Sequence, residues 1–574
     1  MTAPDAHVLL RAFCQELAHC GVGHAATAPG SRSAPLVLAL VRESGLRCWS
    51  HVDERCAGFF ALGVAKATGA PAVVACTSGT AATNLAPAVH EAHQARVPLL
   101  VLTADRPPEL REVGAGQVID QVKLFGSAAK WSFEVGTHQA TPDRVRWMRA
   151  LACRAHATAL EGRPGVVHLN FALREPLVPP DSLPADDTAR ADGVPYVRRY
   201  VGSPDPQPDE LNRLTALLAA HPRGVLVCGR VEAAPGLADA VAGFAETTGF
   251  PVLADPLSGA RRGPGAVAHY DVLLRDEAFA QAHRPDLVLR VGDLPTSKPL
   301  RAWLAGARDA VQVALDPQAA WQDPDAALAL SCIADPTTTL AELTDRHHGD
   351  SDAAWGPSWS RADEHAASAI AGALGDELSE PRVAAELGAR MEAGDTLVVA
   401  SSMPVRDVET FWPARDDPPR VLSNRGANGI DGTVSTAFGV AAAGGGPVTV
   451  LIGDVALAHD IGGLLAASRL GLKLTVVLLN NDGGGIFHFL PVASQADAFE
   501  EHVATPHGLD FAHAAALYGC EHARAGDLDQ LRRALDAAAG SSGTTIVEMR
   551  TEREANLALH RRVWEEACAA SNDG

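Results

Sequence analysis

Short apolar runs alternate with amphipathic stretches along most of this chain, which is the pattern of strands followed by helices. In the first third, the runs predict strands at 71–76, 97–103 and 166–171. Helical periodicity between and before them predicts helices at 8–20, 35–44, 57–68, 81–95 and 142–161. Strands that alternate with helices in this way form a mostly parallel sheet that has helices on both faces.

The same alternation repeats twice more, after two stretches that have the composition of linkers. Residues 176–208 hold eight prolines among Asp, Ser and Gly, and residues 343–360 form a second polar break. The later apolar runs predict strands at 224–228, 251–254, 286–291, 310–315, 396–400, 420–423, 448–452, 474–479 and 544–549. We therefore predict an α/β protein of three doubly wound domains with mostly parallel central sheets, at residues 1–180, 205–345 and 375–574.

Composition and charge narrow the possible partners. A chain of 574 residues with 47% hydrophobic and 20% charged residues is globular, and its net charge of −21 argues against a nucleic-acid partner. No apolar run reaches the ~18 residues that span a bilayer. The first residues lack a basic signal-peptide start, so we expect no integral membrane segment and a cytoplasmic location. The ten cysteines form no CxxC pair, which favours small core residues over a disulfide framework.

Two predicted strand ends in the third domain carry oxygen ligands beside glycine-rich turns. Gly453-Asp454 follows one buried strand, and Asn481 opens the Gly483-Gly484 turn after the next. Side-chain oxygens of Asp454 and Asn481 and a loop carbonyl would fill about half of an octahedral Mg²⁺ shell, leaving places for phosphate oxygens. Either turn alone is common, but the pair favours a metal–diphosphate site over two ordinary turns.

One carboxylate of the first domain stands where a predicted strand becomes a helix. Glu54 follows the strand residue Trp49 and precedes an apolar helix face that includes Phe59 and Phe60. A glutamate in this place can be a helix-start charge that the helix dipole favours. It can also be a half-buried carboxylate that shares a proton with a bound heterocycle. The residue pattern alone leaves both interpretations open.

Together these features resemble the thiamine-diphosphate-dependent enzymes, whose diphosphate motif is Gly-Asp followed by Asn about 27 residues later. The chain departs from that motif at Val455, where the group usually has glycine. Longer motifs are similar to the synthases of 2-succinyl-5-enolpyruvyl-6-hydroxy-3-cyclohexene-1-carboxylate in menaquinone biosynthesis. These motifs are APGSRSAP at 28–35, TSGTA at 77–81, TADRPPEL at 103–110 and SNRGANGIDG at 423–432.

The resemblance implies thiamine diphosphate as cofactor and Mg²⁺ or Mn²⁺ as its metal, held by Asp454, Asn481 and Gly483. Glu54 would hydrogen-bond the pyrimidine ring, and Ile430 would wedge the cofactor into its bent form, although a core isoleucine remains an equal interpretation of Ile430. The implied cofactor-binding residues are Glu54, Ser402, Asn428, Ile430, Gly453, Asp454, Val455, Asn481, Gly483, Gly484, Ile486 and Phe487.

The resemblance also implies two dianionic substrates, 2-oxoglutarate and isochorismate. Carbon dioxide would leave the first, and the remaining four-carbon fragment would add to the ring alkene of the second. Arginine suits such substrates because its planar fork binds a carboxylate with two hydrogen bonds. The implied substrate-binding residues are Ser31, Arg32, Arg106, Gln117, Lys298, Arg406 and Arg425, and the implied catalytic residues are Glu54, Arg32, Gln117, Ser402, Arg406 and Arg425.

The resemblance finally implies a homo-oligomer, a dimer or tetramer, in which the Glu54 domain of one subunit faces the Asp454 domain of another. Three alternatives remain: another thiamine-diphosphate-dependent 2-oxoacid decarboxylase or carboligase, a catalytically silent cofactor-binding regulator, and a nicotinamide dehydrogenase. The carboxylate of Glu54 argues against the regulator. The lack of a GxGxxG motif after a predicted strand argues against the dehydrogenase.

Overall fold

The polypeptide builds three parallel sheets in succession, each flanked by helices. The computed structural model describes residues 3–190, 192–200, 202, 204–232, 234–263, 265–349 and 352–572. The predicted fold class, three doubly wound α/β units, is confirmed. Within the described ranges, no helix combines the length and the apolar composition that crossing a bilayer requires.

Sheet A is built by the first third of the chain. Its elements are α1 (Ala3–His19), β1 (His24–Thr27), α2 (Ala34–Arg42), β2 (Arg47–Ser50), α3 (Glu54–Thr68), β3 (Ala72–Cys76), α4 (Thr80–Thr83), α5 (Ala86–Ala95), β4 (Leu99–Asp105), β5 (Trp131–Glu134), α6 (Pro142–Leu160) and β6 (Val166–Ala172). The strands lie in the order β2-β1-β3-β4-β6-β5. Because neighbouring strand residues point to opposite faces, Val73 and Val74 enter two different cores.

Sheet B follows, in the order β11-β10-β9-β7-β8. Its elements are α7 (Pro208–Ala220), β7 (Gly224–Cys228), α8 (Leu237–Thr248), β8 (Val252–Ala254), α9 (Tyr270–Leu273), α10 (Glu277–Ala282), β9 (Leu287–Val291), α11 (Lys298–Gly306), β10 (Val311–Leu315), β11 (Leu330–Cys332) and α12 (Pro336–Arg346). The strands are short and almost wholly apolar, as expected for a parallel sheet covered on both faces.

Sheet C has the order β13-β12-β14-β15-β17-β16. Its elements are α13 (Trp355–Leu374), α14 (Glu380–Arg390), β12 (Thr396–Val399), α15 (Met403–Phe411), β13 (Arg420–Leu422), α16 (Thr433–Ala442), β14 (Val448–Gly453), α17 (Asp454–His459), α18 (Leu465–Leu470), β15 (Thr475–Asn480), α19 (Phe511–Tyr518), β16 (Glu521–Ala525), α20 (Leu528–Gly540), β17 (Thr545–Arg550) and α21 (Arg553–Asn572).

The two predicted linkers differ in the structure. Between β6 and α7 the described residues form no helix or strand. The second break, predicted at 343–360, is wrong in its limits, because α12 continues to Arg346 and α13 begins at Trp355. Of the residues in these two predicted linkers, Ala191, Val201, Ser203, Asp350 and Ser351 lie outside the described part of the chain.

Helix α13 packs into the cores of two sheets. This burial explains why the polar segment at its start is helical rather than a linker. Its Trp359 is fully buried in a core of sheet B, and its Ile370 lies in a core of sheet C. The apolar face therefore continues along the helix from one unit to the next.

Sheets A and C share one continuous core through the helices α3 and α16. Glycines allow this close crossing: a Cβ on Gly63 would collide with the carbonyl oxygen of Thr436, and one on Gly439 would collide with that of Phe60. The first and third units of one chain are thus rigidly joined by backbone contact.

A buried cation ties all three units together. The ammonium of Lys66 in α3 donates to Glu232 after β7, at 2.7 Å, and to the carbonyl of Ser423 after β13, at 3.1 Å. Its side chain is fully buried. These hydrogen bonds fix α3 relative to the loops after β7 and β13, and the last of these loops carries predicted site residues.

Candidate functional site

Ten of the twelve predicted cofactor-binding residues gather at the carboxyl ends of the sheet C strands, and the other two, Glu54 and Asn428, do not. Strand order reverses between β12 and β14, and ligands of open α/β sheets bind in the crevice at such a reversal. Ser402 follows β12, and Asp454 and Asn481 follow β14 and β15. One cavity of about 110 Å³ brings together Ser402, Ile430, Gly453, Asp454, Val455, Asn481, Gly483, Gly484, Ile486 and Phe487.

Asp454 is the first residue of α17, and its carboxylate is buried. It accepts the backbone N–H of Val455 at 2.7 Å and that of Gly483 at 3.0 Å, and the Nε2 atom of His507 lies 3.3 Å away. Burial raises the pKa of Asp454, while these N–H groups and His507 oppose the rise. A carboxylate held in so little water is suited to a bound cation.

Asn481 has one side-chain atom engaged and one free. Its Nδ2 donates to Glu380 Oε1 at 2.9 Å, whereas its buried Oδ1 has no hydrogen-bond partner among the described residues. A buried amide oxygen without a partner is costly unless a ligand completes it. The residues present therefore fit a divalent cation that takes oxygen ligands, with Asp454 and Asn481 on one side of the cavity.

Glu380 is a residue that sequence reasoning missed. It is fully enclosed, and burial followed by the neighbouring Asp407 raises its pKa to about 7. It also accepts Thr551 Oγ1 at 2.7 Å and Asn556 Nδ2 at 3.1 Å. Four separate segments meet at this carboxyl, so no local sequence pattern could have identified it. His507 was missed for the same reason.

The glycines beside Asn481 stand where the surrounding residues leave no space for a side chain. Gly483 has a φ of +143°, and a Cβ there would lie 2.5 Å from the carbonyl oxygen of Ala504. A Cβ on Gly484 would lie 2.6 Å from the ring of Phe487. Backbone N–H groups on such a turn can approach a phosphate closely. Asp482 faces elsewhere, because its carboxylate accepts the N–H groups of His507 and Gly508 at 3.0 and 2.7 Å.

Several predicted site residues adopt strained backbone conformations. Ser402, Asn428 and Gln117 have φ values of 77°, 62° and 59°, which are uncommon for residues other than glycine. Such strain persists only where the surrounding structure enforces it, and it concentrates at functional sites. Asn428 lies in a loop that the buried Glu91 of α5 holds by accepting the N–H groups of Gly426 and Ala427, at 2.8 and 2.6 Å.

A second cavity, of about 540 Å³, adjoins the first and shares Met403 and Ile486 with it. Lys298 and Arg406 line it, together with three residues that were not predicted: Arg275, Arg561 and Trp564. Arg561 and Trp564 come from α21, the C-terminal helix. Basic side chains of the second and third units thus converge on one space beside the cavity of Asp454.

Arg425 lies close to Arg406 but lines a different cavity, of about 230 Å³, with Asn428. Burial and the neighbouring Arg406 guanidinium lower the pKa of Arg425 to about 10. Among the described residues, neither arginine has a carboxylate within salt-bridge distance. Asp407 and Asp271 act on Arg406, and Asp255 and Glu91 act on Arg425, but none of them forms an ion pair with these arginines. Two partly buried guanidinium groups without a paired carboxylate can bind an anionic ligand.

The remaining predicted residues form a second group, at the carboxyl ends of the sheet A strands. Arg106 donates to Ser78 Oγ, and Gln117 Nε2 donates to the Ser78 carbonyl at 2.7 Å. Burial and the nearby Arg32 lower the pKa of Arg106. Arg32 donates to the Leu173 carbonyl at 3.0 Å, and Ser31 beside it is exposed.

Glu54 is the first residue of α3, and Asp53 is the residue that caps this helix, by accepting the Arg55 N–H at 2.8 Å. The Glu54 side chain is half-buried and has no hydrogen-bond or ion-pair partner among the described residues. It does not line the cavity of Asp454, and neither do Arg32, Arg106 and Gln117. A single chain therefore presents the predicted residues as two groups.

Comparison with known proteins identifies the family. Residues 9–124 match the thiamine pyrophosphate enzyme N-terminal TPP binding domain, residues 197–399 the middle domain of thiamine pyrophosphate, and residues 404–549 the thiamine pyrophosphate enzyme C-terminal TPP binding domain. A 2-succinyl-5-enolpyruvyl-6-hydroxy-3-cyclohexene-1-carboxylate synthase from Chloroflexus aurantiacus is 43% identical over 96% of this chain and 95% of the relative. The chain belongs to this synthase family.

Other members of the synthase family show the same extent of likeness. The proteins of that name from Geobacillus thermodenitrificans and Myxococcus xanthus are each 43% identical, over 96% and 98% of this chain and 95% and 98% of their own lengths. Glu54 falls within the N-terminal TPP-binding match, and Asp454 and Asn481 fall within the C-terminal one. The resemblance read from the short motifs is thereby confirmed at the level of the family.

Proposed function

We propose that the protein decarboxylates 2-oxoglutarate and adds the remaining four-carbon fragment to isochorismate, giving 2-succinyl-5-enolpyruvyl-6-hydroxy-3-cyclohexene-1-carboxylate. The observation that carries this proposal is the cavity at the carboxyl ends of β12, β14 and β15. It combines a buried carboxylate at Asp454, a free amide oxygen at Asn481 and a glycine turn in one space. The family of the chain supports the substrate assignment.

In this proposal Asp454, Asn481 and the Gly483 carbonyl hold Mg²⁺ or Mn²⁺, and the glycine turn receives the diphosphate. When bound, thiamine diphosphate supplies a carbon nucleophile that makes decarboxylation and carbon–carbon bond formation accessible. Ile430 lines the same cavity and would contact the bound cofactor. Glu54 holds a proton at the N1′ atom of the pyrimidine, which is a task for a half-buried carboxylate without another partner.

The basic residues would bind and orient the carboxylates of the two substrates. Arg406 and Lys298 line the larger cavity next to the cofactor site, while Arg425 lies close to Arg406. On the sheet A side, Arg32 and Arg106 stand close together beside Gln117 and Ser78. Two groups of cations match two substrates that each carry two carboxylates.

The two groups meet, in this proposal, between subunits of a homodimer or of a tetramer built from dimers. Among the described residues, those that line the cavity of Asp454 fall between Glu380 and Phe487, which supports a pyrimidine-binding half supplied by another subunit. We propose that residues 1–180 provide that half as the pyrimidine-binding domain. Residues 375–574 would be the diphosphate-binding domain, and residues 205–345 the central domain between them.

The test of the reaction is to supply 2-oxoglutarate with and without isochorismate and to analyse the products. The proposed function predicts the condensed cyclohexene carboxylate only when both substrates are present. Release of succinic semialdehyde alone, unchanged by isochorismate, would instead assign another 2-oxoacid decarboxylase of the same superfamily.

The test of the site is Asp454→Ala, which we expect to abolish Mg²⁺-dependent binding of thiamine diphosphate, measured by calorimetry. Asp497→Ala is the matched control, because Asp497 is an exposed carboxylate of the same domain. Equal cofactor affinity in the two variants would refute the metal assignment.

A further inference from the structure

Two cysteine side chains that are far apart along the chain meet between helices that flank sheet A. Cys20 directly follows α1, and Cys153 lies in α6, with the two sulfur atoms 3.7 Å apart. Both thiols are free, Cys153 being buried and Cys20 only partly so. The sulfurs would have to approach by about 1.7 Å to reach the ~2.05 Å of a disulfide bond.

The surroundings of Cys153 single out its sulfur as the reactive one. The Cys20 thiol and the backbone N–H of Val197 both donate hydrogen bonds to it, the latter at 3.3 Å, and the Cys153 thiol in turn donates to Glu16 Oε1 at 3.5 Å. The Cys20 hydrogen bond is the main reason that the pKa of Cys153 lies below its ordinary value, although burial and the neighbouring Glu16 carboxylate act in the opposite direction. The same contact between the two thiols raises the pKa of Cys20. A thiol with a lowered pKa is the better nucleophile toward an oxidant.

A metal ion is a poorer explanation of this cluster. Glu16 lies close enough to complete a three-residue set with the two cysteines. Its carboxylate is already engaged, because Oε2 accepts Arg149 Nη1 at 2.9 Å, and Oε1 accepts the N–H of Tyr196 and the Cys153 thiol, the latter at 3.5 Å. Glu16 and Arg149 are both fully buried, so this ion pair is part of the core rather than an available ligand.

We propose that Cys20 and Cys153 form a peroxide-sensitive dithiol that closes to a disulfide between α1 and α6. The Cys153 thiolate attacks one oxygen of hydrogen peroxide, the O–O bond breaks, and one water leaves after protonation. The Cys20 sulfur then attacks the resulting sulfenic acid, the S–O bond breaks, and a second water leaves with the Cys20 proton. Two thiols are oxidised to one disulfide, and one peroxide is reduced to two waters.

The disulfide would link α1 to α6 within the first domain, next to the segment that follows this domain in the chain. The two cysteines are 133 residues apart in sequence, and a cross-link over so long a loop restricts the unfolded chain strongly. The Tyr196 and Val197 backbone groups bind at the same cluster, and Arg149 also holds Asp186, at 2.6 Å. The proposed disulfide therefore lies where Asp186, Tyr196 and Val197 contact α1 and α6.

The experiment is to titrate the reduced full-length protein with hydrogen peroxide, alkylate the remaining thiols, and map the peptides by mass spectrometry. We expect a Cys20–Cys153 cross-linked pair as the main product, with a thermal midpoint raised by a few degrees and restored by dithiothreitol. Sulfinic acids on the separate cysteines, a different cysteine pair, or two thiols still reduced would each overturn the proposal.

Matched variants make the assignment specific. Cys20→Ser and Cys153→Ser should each lose both the cross-link and the shift in thermal midpoint. Cys48→Ser should keep both, because Cys48 is a half-buried thiol of the same domain outside the pair. Dimedone labels the sulfenic acid that peroxide forms on a cysteine. Labelling of Cys153 in the Cys20→Ser variant should be faster than labelling of Cys20 in the Cys153→Ser variant. The reverse order would overturn the assignment of Cys153 as the nucleophile.

Discussion

The side-chain amide of Asn481 is oriented by a hydrogen bond to the carboxyl group of Glu380. Glu380 accepts the hydrogen bond of the Asn481 Nδ2 atom and leaves the Oδ1 atom in the cavity of Asp454 without a partner among the described residues. Thr551 and Asn556 hold Glu380 in turn. An amide that could otherwise rotate is thereby fixed with its oxygen toward the place of the proposed metal.

We predict that Glu380→Ala weakens Mn²⁺ binding in the presence of thiamine diphosphate by about 10–100-fold, as loss of such a supporting group does in other metal sites. Electron paramagnetic resonance of Mn²⁺ measures this directly. Glu380→Gln is the control, since its amide oxygen can still accept Asn481 and should retain most of the affinity. Equal affinity in wild type and Glu380→Ala would exclude this positioning role.

A second buried carboxyl gives a pH dependence of stability. Asp460 is fully enclosed and accepts the N–H of Ser435 at 2.7 Å, and burial raises its pKa from 3.8 to about 6. The protonated form contributes stability that is fully present below pH 3.8 and is lost as the pH rises through about 6. We predict that the free energy of unfolding of the wild type falls by about 1–3 kcal/mol between pH 3.8 and about pH 6 because Asp460 loses its proton, and that Asp460→Asn lacks this fall. Thermal midpoints of both proteins between pH 4 and pH 7 measure it, and parallel pH profiles would contradict it.

At the scale of elements, the crossing of α3 and α16 carries the most consequence for the site. Helix α3 begins with Glu54, and the loop before α16 contains Asn428 and Ile430. The glycines of the crossing let the two backbones touch. The position of Glu54 relative to Asn428 and Ile430 of the same chain is therefore set by the packing of α3 on α16, not by residues adjacent to Glu54 in the sequence.

We predict that Gly63→Ala destabilises the protein by about 1–3 kcal/mol, because the added methyl group meets the fixed carbonyl of Thr436. Gly243→Ala in α8 is the matched control. A Cβ there meets nothing within 4 Å, so alanine should be neutral or stabilise by about 0.4–1 kcal/mol. Chemical denaturation measures the free energy of unfolding of both variants. Equal values would show that the helix crossing can accommodate a methyl group at residue 63.

At the scale of the whole molecule, one chain separates the two groups of site residues. The cavity of Asp454 contains no residue of sheet A, and Glu54 is half-buried without a partner among the described residues. A symmetric dimer can complete two equivalent sites at once, because each subunit offers the half that the other lacks.

We predict that mixing two inactive variants restores activity. Glu54→Gln and Asp454→Ala would each lack one half of every site, but a mixed dimer would contain one intact site. Random exchange of subunits then gives about one quarter of the wild-type activity for a dimer with two equivalent sites. The measurement is carboligation after dissociation and reassociation of equal amounts. No recovery, although mass spectrometry shows mixed dimers, would place the whole site within one chain.

Where the sequence succeeded, it did so through strong local patterns. Buried strands such as β3 and β15 are continuous apolar runs, and their limits were predicted closely. Strands β1, β5 and β16 were missed because they are short and either alanine-rich or half-exposed, so only their neighbours in the sheet make them strands. The predicted break at 343–360 failed because burial against two cores overrode its polar composition.

The sequence by itself determined the three-sheet α/β fold and the family, because alternating apolar runs and long loop motifs are local and specific. It also named the residues of the proposed site, which remain predictions. Only the tertiary structure decided which of them share a cavity. It alone revealed Glu380, His507 and the meeting of Cys20 with Cys153, because those contacts join segments far apart in the chain and leave no local pattern.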